Sequence, residues 1–121
     1  MARREALERI EREILQEKAE ALGRVGERLA DLLVRLHTLG RRIDGLEAAL
    51  AGGGGGLEGR ARLGDEVERF NRLRETAVRL AHDLVIQREA VGFRRHALIL
   101  ETYPIPPRRV LPGPLPTPER R

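Results

Sequence analysis

The stretch "EAALAGGGGGLEGRARLGDEVERF", residues 47–70, decides the fold. Its centre is five consecutive glycines, Gly52 to Gly56, between flanks whose apolar residues recur at helical spacing. A glycine inside a helix costs roughly 1 kcal/mol relative to alanine. Five in a row therefore end one helix and require the next to start afresh.

Before the glycines, Leu22, Val25, Leu29, Leu32, Leu36, Leu39, Ile43, Leu46 and Leu50 alternate steps of three and four. This is an unbroken a/d heptad stripe. Upstream, Leu7, Ile10 and Ile14 continue it, with a slip before Leu22 that would locally relax a left-handed supercoil. After the glycines, Leu63, Phe70, Ala77, Leu84, Val91 and Leu98 recur every seven residues. Glu66, Leu73, Leu80, Gln87 and Arg94 are interleaved with them, so this second column turns polar towards its end. Asp65 and Glu68 have capping-box spacing and set the expected start of the second helix. Pairs such as Glu8–Arg12 and Glu68–Arg72, with the acid first at i,i+4, each add a few tenths of a kcal/mol.

Two heptad stripes joined by a flexible connection can close into an antiparallel pair, the reading preferred here over a linker between helices that pair with other chains. The sequence thus predicts an all-α fold: a long antiparallel two-helix coiled-coil hairpin with a proline-rich, extended C-terminal tail. The expected divisions are a first long helix over 1–51, a glycine-rich hairpin loop over 52–64, a second long helix over 65–102 and a tail over 103–121. With the reversal near residue 55, facing residues have numbers adding to about 110–115. That register sets Glu11, Glu13, Glu17 and Glu20 beside Arg88, Arg94 and Arg95. The polar layers Gln87 and Arg94 make the end far from the glycines the looser one.

All seven prolines fall in "TYPIPPRRVLPGPLPTPERR", residues 102–121. Pro104 bounds the helix, because the residue before a proline avoids the α region. The tail is expected to be extended or polyproline II. Pro104, Pro107 and Arg109 match P-x-x-P-x-R, a spacing read by aromatic-lined grooves. Against that stands a stiff, solvated tail, or one that packs back on the helices through Tyr103, Ile105, Val110 and Leu111.

Composition narrows the function. The 121 residues are 35% charged and 2% aromatic, which suits long helices in a single domain. Cysteine and serine are both absent, which removes disulfides, thiol chemistry and serine nucleophiles. All basic residues but Lys18 are arginine, a bias read here as that of a GC-rich bacterial genome. No apolar run approaches the roughly 20 residues of a membrane span. The charged start carries no apolar signal segment, so a cytoplasmic location is expected. Residues 102–121, with four basic and one acidic side chain, supply +3 of the net +4. A nucleic-acid binder would carry a basic face on its folded part. Here the signs are interleaved.

No catalytic, metal or cofactor residue emerges, and the chain is expected not to be an enzyme. His82 and His96 are fourteen residues apart, about 21 Å along a helix, too far to share one ion. His37 stands alone. The glycine run lacks the preceding strand and the Gly-Lys-Ser/Thr of a phosphate loop. A hairpin also offers no cleft for paired carboxylates. The expected function is that of a non-enzymatic structural or adaptor protein acting through coiled-coil protein–protein contacts. It would self-associate, as a homodimer or larger assembly, or dock on a protein partner. The alternative is an arginine-based binder of nucleic acid or another polyanion. Candidate partner-binding residues are Val85, Ile86, Phe93, Ile99 and Leu100, beside the seam of the second helix. Candidate tail-recognition residues are Pro104, Pro107 and Arg109. Gly26 and Gly40, fourteen apart on one flank of the first stripe, either admit another helix or are tolerated defects.

Overall fold

A computed structural model describes residues 2–111, in which three helices follow one another: α1 (Ala2–Ala51), α2 (Gly56–Ala90) and α3 (Ala97–Thr102). The first two are long, and they pack on each other as an antiparallel hairpin. The glycines make the reversal through a C-terminal hydrogen-bond pattern that needs a left-handed residue. Gly54 N–H donates to Ala49 C=O at 2.9 Å, and Gly53 N–H donates to Leu50 C=O at 3.1 Å. Gly53 has φ +87°, the conformation such a cap requires and one that costs other residues about 1–2 kcal/mol.

The seam follows the stripe of α1 and the seven-residue column of α2, but the interleaved column of α2 differs from expectation: Val67 and Ala81 are buried, while Glu66, Leu73 and Leu80 are only half-buried. Leu29, Leu36, Leu39 and Ile43 of α1 are buried against Leu63, Val67, Phe70, Ala77, Ala81 and Leu84 of α2. Leu22, Val25, Leu32, Leu46, Leu50, Leu73 and Leu80 are half-buried around them. Burying each large side chain is worth roughly 1.5–3 kcal/mol. Glu66, at the edge of the seam, approaches Arg42 of α1 at 3.8 Å.

Both ends of the second helix differ from expectation. It begins at Gly56 rather than 65, with Gly55 as an N-cap that offers no side-chain bond. Leu50 lies over Gly55 and Gly59, and that close contact lets the helix start as soon as the chain has turned. Asp65 and Glu68 are thus inside α2 rather than at its cap. The tighter turn sets the register at or just below the low end of the expected range. Arg42 meets Glu66 and Gly40 meets Phe70, pairs whose numbers add to 108 and 110.

At its other end α2 stops at Ala90, not 102. The same cap is used again: Phe93 N–H donates to Arg88 C=O at 2.9 Å, Gly92 N–H donates to Glu89 C=O at 3.0 Å, and Gly92 has φ +94°. Phe93 packs its ring under the Arg88 guanidinium, 4.7 Å from the ring centroid, as the apolar residue after such a cap commonly packs on the last turn. The chain then folds back. α3 lays Ile99 on the hairpin, and Tyr103 reaches Gly26 of α1.

Residues 104–111 form neither helix nor strand and run on from Gly26 towards Asp44. Fourteen residues of α1 span about 21 Å, whereas six residues of polyproline II cover about 19 Å. The segment from Tyr103 to Arg109 is thus long enough for its two end side chains to reach Gly26 and Gly40. The remaining prolines, in 112–121, lie outside the described residues. Among the described residues no helix is long and apolar enough to cross a membrane.

Candidate functional site

Two surfaces stand out: a bare helical arm and an occupied groove. The arm follows from the early end of α2. In a register near 108, α1 residues before about 18 have no counterpart on α2. Residues 2–20 are accordingly exposed throughout, an arm about 28 Å long. Leu7, Ile10, Ile14 and Leu15 stand 44–58% exposed along it. The expected pairing of Glu11, Glu13, Glu17 and Glu20 with Arg88, Arg94 and Arg95 does not occur. The turn at Gly92 carries Arg94 and Arg95 away, and Arg88 turns to Phe93 and to the Arg95 carbonyl.

The groove lies between α1 and α2, where Phe70 forms its floor. Asn71 pairs with the main chain of Arg109 in both directions: its Nδ2 donates to the carbonyl at 2.9 Å, and its Oδ1 accepts from the N–H at 2.9 Å. Arg74 Nε donates to the Pro106 carbonyl at 2.8 Å. The Arg109 guanidinium donates to Asp44 at 2.7 Å and lies 5.4 Å from the Phe70 ring centroid. Proline suits such a groove physically. A chain lying across helices has few acceptors for its N–H groups, and Pro104, Pro106 and Pro107 have none to satisfy. An open cavity of about 500 Å³ remains beside the segment, lined in part by Leu33, His37 and Phe70.

Gly26 and Gly40 now have a role. A methyl group at Gly26 would sit 2.9 Å from the Tyr103 hydroxyl, and one at Gly40 would sit 3.1 Å from the Arg109 guanidinium. The two glycines are sockets for the returning chain rather than for another helix.

The residues singled out from sequence are distributed unevenly over these surfaces. Pro104 and Pro107 are exposed while Arg109 is turned into the groove, so the three do not present one recognition face. Ile105 and Tyr103 dock on the hairpin, as the alternative for the tail anticipated, whereas Val110 stays exposed. Val85, Ile86, Phe93, Ile99 and Leu100 do not form one open face. Ile99 is buried, Val85 is half-buried, and Ile86, Phe93 and Leu100 are exposed. The cause is the turn at Gly92, which separates residues that a continuous helix would have aligned. It also takes Leu98 out of the seam, leaving it 51% exposed, and substitutes Ile99. His96 swings back to Glu89 at 3.1 Å, while His37 and His82 are exposed.

Sequence reasoning missed Asp44, Asn71 and Arg74. Nothing in their spacing marks them, because their partners lie 32 to 65 residues away. No family model, curated protein or solved structure matches this chain.

Proposed function

We propose that this chain is a non-enzymatic structural or adaptor protein that works through helical protein–protein contacts, chiefly by associating with itself. The observation that carries this reading is the arm. Nineteen helical residues stand exposed with an apolar stripe along them. A lone helix of that length is marginal in water, and it gains most of its stability by packing an apolar face. Large apolar side chains gathered on one exposed face mark interaction sites more often than chance. Ile86, Phe93, Leu98 and Leu100, exposed at the same end of the hairpin, add to the surface that an assembling helix would cover.

The experiment is a concentration series in the analytical ultracentrifuge. The wild type should move from monomer to a larger species over the micromolar range. Ile10→Glu with Ile14→Glu should hold it monomeric at every concentration while the circular dichroism of the paired helices persists. Equal association by the wild type and the double variant would overturn the role given to the arm.

A further inference from the structure

The break at Gly92 leaves a coherent set of features without partners. Val91 and Leu98 continue the seven-residue repeat of Leu63, Phe70, Ala77 and Leu84, yet Leu98 stays half exposed. The arm's Leu7, Ile10 and Ile14 are equally bare. Among the described residues Glu11, Glu13 and Glu17 make no ion pair, nor do Arg94 and Arg95. The hairpin register joins these remnants. Were α2 to run on past Ala90, Leu98 would face Ile10 and Arg95 would face Glu13, since both pairs add to 108, as Arg42 and Glu66 do. The two arrangements differ over residues 91–96, and Gly92 is the one residue of that stretch with a positive φ. It holds φ +94° in the bent form, but glycine enters a helix without steric hindrance.

We propose that the chain has a second, open form, a step that rests on self-association as its function: α2 continues through Gly92 to Thr102 against its own arm, and the released segment 103–111 fills the groove of a second copy. In the open form Tyr103 lies level with about residue 5 of α1, roughly 32 Å from its own Gly26. Its own groove is then out of reach. A second hairpin, antiparallel to the first and set with its Gly26 at that level, solves the problem for both chains. Its own Tyr103 then comes level with the first copy's Gly26, so a two-fold axis closes the pair with both grooves filled. The directions agree as well. In the groove the segment runs antiparallel to the α2 that lines it. Entering an antiparallel copy, it continues straight from its own helix.

The overlap has a further consequence. The two hairpins overlap over about 20 residues, roughly 6–25 of α1 and 83–102 of the extended α2 in each copy, which makes a four-helix bundle at the centre of the dimer. Leu7, Ile10, Ile14 and Leu98 enter its core. The groove itself needs no change to accept a partner's segment. Asn71 and Arg74 read main-chain groups, and Asp44 reads an arginine that every copy carries. The bent form, by contrast, secures α3 by one buried side chain, Ile99.

Charge exchange tests the swap on the full-length chain. Asp44→Arg and Arg109→Asp each set like charges together within one chain and within its homodimer. Mixed one to one, the two variants restore opposite charges in both grooves only when segments are exchanged. Native mass spectrometry of the mixture should show heterodimer in several-fold excess over the statistical share. Independently, Gly92→Ala penalises the bent turn and favours the continuous helix, and should tighten dimerisation about tenfold or more. Dimers that form with heterodimer at only the statistical share, and that Gly92→Ala does not tighten, would overturn the exchange while leaving self-association standing. A chain that stays monomeric at all concentrations, with Gly92→Ala monomeric too, would overturn both.

Discussion

Phe70→Ala should lower the free energy of unfolding by about 3–5 kcal/mol, a large share of the 5–15 kcal/mol typical of a domain. Phe70 is 1% exposed, lies in the seam between both helices, and is also the floor on which the Arg109 guanidinium rests. Its removal therefore opens a cavity in the helix pair and loosens the returning segment in one step. Urea unfolding followed by circular dichroism measures the loss. Phe93→Ala, at an exposed ring that only covers Arg88, should cost under 1 kcal/mol in the same assay. Equal costs at the two positions would mean that the buried seam is not where the stability lies.

The glycines of α1 give the second large effect, with the opposite sign. Gly23 and Gly45 are helical, and a methyl group at either would meet nothing within 4 Å. Gly23→Ala with Gly45→Ala should stabilise the chain by about 2 kcal/mol through helix propensity alone. For a domain of this size that raises the melting temperature by about 8 °C. Gly26→Ala with Gly40→Ala gains the same propensity but presses on Tyr103 and Arg109 at 2.9 and 3.1 Å, so its net gain should be well below that of the first pair. Thermal melts of the two double variants decide the matter. Equal gains would show that Gly26 and Gly40 are not sockets.

These glycines also mark the limit of what a sequence discloses. Most of the seam was legible because heptad spacing is a local property: the stripe over 22–50 and the column Leu63, Phe70, Ala77 and Leu84 pack where their periodicity puts them, whereas Val67 and Ala81 take the places expected of Glu66 and Leu80. The reversal was legible because five glycines interrupt the helix between two stripes that can pair with each other. The end of α2 was misread because the seven-residue repeat runs on through Val91 and Leu98, and periodicity outweighed a single glycine. The signal was present in "VGF", residues 91–93: a glycine able to take positive φ, followed by an apolar residue that packs on the last turn. The groove was legible only in outline. Tyr103 and Ile105 suggested docking, but Asn71, Arg74 and Asp44 are ordinary polar residues on helix surfaces until the tail lies across them. Such sites arise from contacts remote in sequence, and no local pattern encodes them.

Early end and returning tail have one cause and one consequence. The turn at Gly92 sends the chain back along the hairpin, filling the groove between α1 and α2. The same turn strips the arm of the partner that the heptads had provided. What the chain gains in a closed groove it leaves exposed on residues 2–20.

Hydrogen exchange by mass spectrometry, read segment by segment at low and high protein concentration, tests this account most directly. Residues 29–43 and 63–84 should be protected at both concentrations, because the seam forms within one chain. Residues 2–20 should exchange fast in dilute solution and become protected as concentration rises, because their apolar stripe is covered only on association. An arm that exchanges at the same rate at every concentration, in a chain that sediments as a monomer throughout, would contradict it.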